Sequence, residues 1–306
     1  MSATSSRSGL FLLALPAVML CGQDISQPES SFSVDVSLVV LHATVLDKKG
    51  GFVSGLKKDD FHVFEDGKPQ AIQYFSYGDV PVAVGLIVDN SGSMSRKRPD
   101  VTAAAEAFVK ASNPQDQMFI VNFNEQPRFG LGNTQLFSAN VPELESALNG
   151  VPARGRTALY DAVELGLAHL NKTTLDKKVL VVISDGGDNA SSHSLGQVLD
   201  AAARSEAMIY TVGLFDEFDE DRNPGALKKI ARITGGEAFV PNQISKVVAI
   251  CGEIARDIRN QYTIGYLPAN RAFDNQYRSI RVTATDPRGR KCEVRTRAGY
   301  VAQKHP

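Results

Sequence analysis

Four segments of this chain are almost uninterrupted runs of apolar residues, and they constrain its fold more than any other feature. They are VAVGLIVD (82–89), QMFIVNF (117–123), KKVLVVISD (177–185) and MIYTVGLF (208–215). A strand with one face in water alternates apolar and polar residues, whereas a strand covered on both faces does not. The four runs therefore predict a buried, mostly parallel sheet.

The segments between and after these runs carry apolar residues at helical spacing. In ALYDAVELGLAHL (158–170), for example, Ala162, Val163 and Leu170 lie near one face of a helix. The other predicted helices cover 101–109, 195–207, 226–236 and 244–258. Strands that alternate with helices predict an α/β fold, in which a doubly wound, mostly parallel sheet has helices on both faces.

Both ends of the chain show a β-type pattern instead. Alternating apolar residues and turn signals predict short strands over 32–78, and three more strands are predicted over 262–302. The dipeptide Asp66-Gly67 favours a tight turn, which predicts a hairpin between Phe61–Val63 and Ile72–Phe75.

Neither of these two β segments is large enough to form a convincing sandwich by itself. We therefore predict one small β-sandwich that combines the N-terminal and C-terminal segments, with an α/β domain over 80–261 inserted between them. The alternative is two separate β appendages that pack on the α/β domain.

The N-terminus has the pattern of a secretory signal peptide. Arg7 precedes an apolar run from Leu10 to Leu20, and small or polar residues follow. Residues 1–22 are therefore predicted to be a signal peptide, which places the exported protein in the periplasm, in the cell envelope or outside the cell. A buried core helix is the alternative, and Pro16 counts against it.

Cys21 raises the question of a lipid anchor. A cysteine at this point of a bacterial signal sequence can be lipidated, which would tie the protein to a membrane. The residue before such a cysteine is usually small, and Leu20 is not. Cleavage near Gly22 fits the sequence at least as well, so both the anchored and the free form stay open.

Polar residues follow two of the buried strands at the points where they end. Asp89 ends the first run, and Ser91 and Ser93 come after it; Asp185 ends the third run. Thr157 lies just before a predicted helix. Because ligands of open α/β sheets bind at the carboxyl ends of parallel strands, we expect these side chains to meet at one edge of the sheet.

All of these side chains are oxygen donors, two carboxylates and three hydroxyls. Oxygen ligands suit Mg²⁺, Mn²⁺ or Ca²⁺ rather than zinc. Two carboxylates balance a divalent charge, and neutral hydroxyls leave the ion able to accept a further carboxylate. The alternative is that the hydroxyls only cap helices. That would leave acids at the ends of two buried strands unexplained, because an unpaired buried charge is costly.

The motifs DNSGS, TALYD and ISDGGDN, in that order, resemble the von Willebrand factor type A domain and its metal-ion-dependent adhesion site. The resemblance covers about Pro81 to Asn260. It implies a Rossmann-like sheet with a short antiparallel edge strand, a cation that is usually Mg²⁺, and a set of metal ligands: Asp89, Ser91, Ser93, Thr157 and Asp185. Arg156 departs from the pattern, since many relatives have a small residue before the threonine.

A second segment supports an exported bacterial protein. GLKKDDFHVFEDGK (55–68) is similar to a segment of bacterial exported proteins related to this family. The formal net charge is −1, and Lys and Arg do not cluster with aromatic residues, so nucleic acid is not an expected partner. Cys251 and Cys292 are predicted to be separate buried thiols, although export would permit a disulfide between them.

The sequence therefore predicts a metal-dependent protein-binding module rather than an enzyme. Its cation, Mg²⁺ or else Mn²⁺ or Ca²⁺, would receive an acidic side chain of a partner protein. Two alternatives remain. A metal-dependent hydrolase would need a general base, and none is evident in the sequence. A structural envelope protein would use the metal only to stabilise its fold.

Overall fold

The computed structural model describes residues 38–132, 134–149, 151–215 and 221–303, so the predicted signal peptide and Cys21 lie outside it. Its strands are β1 (Val39–Leu46), β2 (Phe61–Glu65), β3 (Lys68–Gln70), β4 (Ile72–Tyr77), β5 (Ala83–Asp89), β6 (Gln117–Phe123), β7 (Pro127–Phe129), β8 (Lys178–Ser184), β9 (Met208–Gly213), β10 (Ala238–Phe239), β11 (Tyr262–Tyr266), β12 (Tyr277–Thr285), β13 (Lys291–Arg295) and β14 (Gly299–Val301). Its α-helices are α1 (Arg98–Lys110), α2 (Val141–Asn149), α3 (Leu159–Leu170), α4 (Leu195–Arg204), α5 (Pro224–Ile233) and α6 (Val247–Arg259).

The four apolar runs form the centre of a six-stranded sheet in the order β10-β9-β8-β5-β6-β7. The pairs β5–β6, β5–β8, β8–β9 and β9–β10 are parallel. Only β7 runs antiparallel, at the edge beside β6, which is the short edge strand that the family resemblance implied. Every residue of β5 and of β9 is buried, as expected for strands that are covered on both faces.

The helices cover this sheet in two groups. Helices α1, α2 and α6 pack on one another, and α3, α4 and α5 form the second group. Apolar side chains of both groups join those of the strands in one hydrophobic core. The predicted α/β fold with a mostly parallel sheet is therefore confirmed. Helix α2, with Leu144, Ala147 and Leu148 buried, is an element that the sequence analysis did not single out.

The terminal β segments form one antiparallel sheet rather than two facing sheets. Its order is β3-β2-β12-β13-β1-β11-β4, and β14 pairs with β12. Strands before and after the α/β region therefore share one sheet and one apolar core. The sandwich that we predicted is not confirmed.

The predicted hairpin is correct at its turn and wrong in its second strand. Asp66 and Gly67 have positive φ angles of 47° and 76°, and the turn joins β2 to the short strand β3. Residues 72–75 belong to β4, which pairs with β11 about 190 residues later in the chain. The apolar alternation predicted a strand, but its partner is a strand from the far end of the chain, with which it shares the apolar core of the antiparallel sheet.

The two cysteines of the described residues are unpaired, as predicted. Cys251 is buried in the core of the α/β region, whereas Cys292 is only half-buried, so its predicted burial was too strong. Within the described residues, every helix is too short or too polar to cross a bilayer.

Candidate metal centre

Three loops bring the five predicted ligands together at the carboxyl ends of β5 and β8. We call this set, Asp89, Ser91, Ser93, Thr157 and Asp185, the rim. The loop after β5 reaches the loop after β8 through the Ser93 hydroxyl, which donates to Asp185 Oδ2 at 2.5 Å. The same loop reaches the segment before α3 through Gly92, whose N–H donates to the carbonyl of Gly155 at 3.0 Å. The parallel strands thus bring the loop after β5 into contact with the loop after β8 and with the segment that carries Thr157, as the sequence predicted.

Asp89 is the most deeply buried member of the rim. Its side chain has no solvent exposure. Oδ1 accepts a hydrogen bond from the Ser91 N–H at 2.8 Å, and Oδ2 accepts one from the Ser184 hydroxyl at 2.6 Å. Burial and, second, the negative charge of Asp185 raise the pKa of Asp89 to about 7. The carboxylate therefore has neutral donors and a like charge as neighbours.

Asp185 is held in place by its own loop. Its Oδ1 accepts from the Gly187 N–H at 3.0 Å, while Oδ2 accepts from Ser93. The loop turns at Gly186, whose φ is +78° and where a Cβ would lie 2.5 Å from the Asn223 carbonyl oxygen. Only glycine fits this conformation without moving the neighbouring backbone. The chain therefore turns tightly directly after Asp185.

The hydroxyls of the rim are not helix caps. Helix α3 begins after Ala158 rather than Thr157, and no side chain caps its N-terminus. Ser91 precedes the 3₁₀ turn Gly92–Met94 but makes no side-chain capping bond. Ser91 and Ser93 instead contact each other, with 3.1 Å between their hydroxyl oxygens. The capping alternative is thus not supported by the geometry.

Thr157 is fixed through its main chain. Its N–H donates to Asn189 Oδ1 at 3.0 Å, and its carbonyl accepts from the N–H groups of Asn189 and Ala190, each at 3.0 Å. These bonds tie the segment before α3 to the loop after β8. Asn189 therefore positions Thr157 through both its side chain and its main chain.

Two other acids near the rim organise loops. Asp188 Oδ2 accepts from the Tyr160 N–H at 2.9 Å and from the Ser191 hydroxyl at 2.6 Å. Asp161 accepts from the His193 Nδ1–H at 2.7 Å and from the N–H groups of Ser192 and His193. Both carboxylates are thus engaged with the chain around the rim.

Ser184 is the rim neighbour that the sequence analysis missed. It ends β8 and donates to Asp89, and its Oγ also accepts from the Gly186 N–H at 3.0 Å. The signal was present in the sequence, because a hydroxyl directly before the acid at the end of a buried strand needs a partner. Its contact with Asp89, 95 residues earlier, depends on the pairing of β5 with β8.

The donor chemistry of the rim fits a hard divalent cation. It offers two carboxylates and three hydroxyls, without histidine or cysteine. No cationic side chain of the described residues hydrogen-bonds to Asp89 or Asp185, so the hydrogen-bond donors of these two acids are all neutral. Ser93 is exposed, which leaves this side of the rim accessible to solvent. No group of three or more His, Cys, Asp or Glu in the described residues is arranged to hold a metal, so the hydroxyl-containing rim is the candidate.

The comparison with protein families agrees with the motifs. The model of the von Willebrand factor type A domain matches residues 84–187, a span that includes the whole rim. The family recognised from the sequence is therefore confirmed for this part of the chain. A search of curated proteins finds no match.

Solved structures support the fold. A von Willebrand factor type A protein from Catenulispora acidiphila is 14% identical with a TM-score of 0.50, over 80% of this chain and 74% of its own. Proximal thread matrix protein 1 from the mussel byssus is 16% identical with a TM-score of 0.50, over 64% of this chain and 51% of its own. A second structure of that mussel protein, described as having a zinc-occupied MIDAS motif, is 14% identical with a TM-score of 0.49, over 59% and 48%. At these identities the likeness concerns the fold alone.

Proposed function

We propose that this chain, whose residues 84–187 match the von Willebrand factor type A domain, binds a partner protein through a divalent cation held at the rim. One observation carries the proposal. Asp89 and Asp185 are buried and lie close enough to act on each other through their negative charges, and within the described residues they accept hydrogen bonds from hydroxyl and N–H groups but from no cationic side chain. A divalent cation would supply the missing charge.

The ligands of the cation would be the side chains of the rim. Asp89 and Asp185 neutralise its charge, while Ser91, Ser93 and Thr157 supply neutral oxygens. A bound cation with an accessible position attracts an anionic oxygen from outside the chain. The chain itself fixes the donors before the ion arrives, since backbone bonds hold Asp89, Thr157 and Asp185 in place.

The partner group would be an acidic side chain. The two rim carboxylates balance the charge of a divalent ion, and the rim hydroxyls are neutral. The protein ligands therefore add no surplus negative charge that would repel an acidic side chain. We propose Mg²⁺ as the ion, with Mn²⁺ and Ca²⁺ as the other oxygen-seeking choices. Export to the periplasm, cell envelope or medium is proposed from the signal-peptide pattern of residues 1–22.

Calorimetric titration of metal-stripped protein with Mg²⁺ and with Mn²⁺ tests the site. We expect one ion per chain, with binding lost in Asp89→Ala. The matched control is Asp200→Ala, which removes an exposed carboxylate from α4 and should leave the titration unchanged. Absence of binding in the wild type, or binding that survives in Asp89→Ala, would contradict the proposal.

A peptide experiment tests the partner chemistry. An acetylated and amidated peptide, Gly-Gly-Asp-Gly-Gly, should shift the amide signals of the rim in NMR spectra recorded with Mg²⁺. The shifts should vanish with a chelator and with the Asn version of the peptide. Peptide shifts that persist in the chelator would show that the acid is recognised without the cation.

A further inference from the structure

A cavity of about 520 Å³ opens beside the rim. Gly155, which lines it, lies two residues before Thr157, and its carbonyl accepts the Gly92 N–H. The cavity therefore shares a wall with the loop that carries one of the rim residues.

Two arginines line the cavity. Arg128 lies on the edge strand β7, opposite Asn122 of β6, and Arg154 lies in the segment before α3. Both side chains are exposed, and among the described residues neither forms an ion pair. The backbone of Arg154 is anchored, since its N–H donates to the Asn90 carbonyl at 2.9 Å. We call this space the arginine cavity.

One acidic side chain partly offsets this positive charge. Glu125 also lines the arginine cavity, and its carboxylate leans on the backbone of Gly155, where a Cβ would lie 2.8 Å from Oε1. Two guanidinium groups and one carboxylate leave the charged lining with an excess of positive charge. The remaining polar lining includes the amide of Asn124, which can hydrogen-bond to an oxyanion, whereas the buried Asn122 amide already donates to the Ala147 carbonyl and accepts from Asn90.

The spacing suits a second acid on the same peptide segment. Arg154 and Thr157 are three residues apart, so their Cα atoms are at most about 11 Å apart. Side chains on one face of an extended peptide are about 7 Å apart, and three residues span about 10 Å. One segment can therefore place one acid at the rim and another in the arginine cavity.

We propose that the arginine cavity receives a second acidic side chain of the same partner segment, two or three residues from the acid that reaches the cation. This inference rests on the proposed function of the rim. Arg128 and Arg154 then select partners by charge and spacing, because a guanidinium group offers paired N–H donors that match a carboxylate. A partner with a single acid would occupy the rim alone.

Peptides with one and two acids test this proposal in the presence of Mg²⁺. The one-acid peptide is Gly-Gly-Asp-Gly-Gly-Gly, and the two-acid peptides are Gly-Gly-Asp-Gly-Asp-Gly and Gly-Gly-Asp-Gly-Gly-Asp, all acetylated and amidated. NMR titration should show that at least one two-acid peptide binds about tenfold more tightly, as expected for one charge-assisted hydrogen-bonded contact. The gain should disappear in the double variant Arg128→Gln, Arg154→Gln.

Two further variants extend the test: one should strengthen binding, and the other is a control. Glu125→Gln removes the carboxylate from the arginine cavity and should strengthen binding of the two-acid peptides. Arg288→Gln removes an exposed arginine from the turn between β12 and β13 and should leave the gain unchanged. A gain that survives in the double variant, or no difference between the peptides, overturns the inference.

Cation titration separates this inference from the proposed function. The double variant should bind Mg²⁺ as the wild type does, because neither arginine belongs to the rim. If the wild type does not bind Mg²⁺, the function proposed for the rim is contradicted. Normal Mg²⁺ binding without a two-acid gain would defeat only the role of the arginine cavity.

Discussion

Two carboxylates of this protein are equally buried and differ in what surrounds them. Asp257 of α6 lies where the two sheets meet, and Asp89 lies at the rim; their exposed fractions are 1% and 0%. Asp257 accepts from the Thr44 hydroxyl at 2.6 Å and from the Tyr210 hydroxyl at 2.9 Å, and it also pairs with Arg295. Asp89 accepts hydrogen bonds from an N–H group and a hydroxyl, but no cationic side chain of the described residues forms an ion pair with it.

The difference separates a structural carboxylate from a binding one. At the junction, which we define as Thr44, Tyr210, Glu237, Asp257 and Arg295, the chain itself provides the positive charge. Thr44 and Arg295 belong to the antiparallel sheet, whereas Tyr210, Glu237 and Asp257 belong to the α/β region. Their ion pairs and hydrogen bonds therefore join β1 and β13 to the α/β region. At the rim the chain provides a second carboxylate instead. The contrast supports the proposal that an external cation supplies the positive charge which, among the described residues, no hydrogen-bonded side chain brings to the rim.

The largest expected effect is at the junction. Asp257→Asn removes one partner of a buried pair and should lower the free energy of unfolding by about 3 kcal/mol. Urea unfolding measures this change. Lys110→Gln is the control, because it breaks a surface pair with Glu145 and should leave stability nearly unchanged. A loss no larger than that of the control would mean that the junction ion pair is not structural.

The next largest effect is the stabilisation by a bound cation, which should depend on Asp89 but not on Asp257. At Mg²⁺ about a hundredfold above its Kd, the wild type should gain about 2.7 kcal/mol in the free energy of unfolding. Asp257→Asn should show the same gain from its lower starting value, whereas Asp89→Ala should show none. Thermal unfolding with and without chelator measures these gains. An equal gain in Asp89→Ala would place the cation elsewhere.

Acid should weaken the antiparallel sheet through His42 of β1. Burial and, second, the charge of Lys177 lower the pKa of His42 from 6.5 to about 3. Between pH 3 and pH 6.5 the unfolded chain thus binds a proton that the folded chain excludes, so stability falls as pH falls. Between pH 6.5 and pH 4.5 the loss should be about 2 kcal/mol. The variant His42→Gln should lack this component; parallel pH profiles of the two proteins would disprove it.

The smallest expected effect has the opposite sign to that of Asp257→Asn. Asp89→Asn keeps the shape of the side chain and removes one of two close negative charges. In chelator we expect the free energy of unfolding to rise by about 1 kcal/mol, in the range of a typical single substitution. Urea unfolding at pH 8 measures the change. A loss of stability as large as that of Asp257→Asn would show that Asp89 is a structural acid as well.

The sequence predicted the α/β region well because its signals are local. Continuous apolar runs predicted β5, β6, β8 and β9, and each lies within or at the bounds of the run that predicted it. Acids at the ends of β5 and β8 predicted the rim for the same reason, since parallel strands end at one edge. Thr157 was expected at the same edge because it lies just before a predicted helix, and the family motifs then implied that it is a ligand.

The terminal β segments were harder to predict. Alternation located strands but not their partners, and β4 pairs with β11 rather than with β2. Strand β1 uses its first part to pair with β11 and its last part to pair with β13. Such pairings join residues about 190 to 250 positions apart, and a period of two residues carries no information about the partner.

By itself, the sequence determined which segments are buried strands, where five of the six described α-helices lie, and which oxygen donors stand at the strand ends. Only the tertiary structure decided that Ser184 and Asn189 hold Asp89 and Thr157, that Arg295 neutralises Asp257, and that Arg128 and Arg154 share a cavity. The physical reason is the range of the interactions. Burial and hydrogen bonding within a strand or helix follow from neighbouring residues, whereas a charge at the junction or the rim finds its partner only after distant strands have paired.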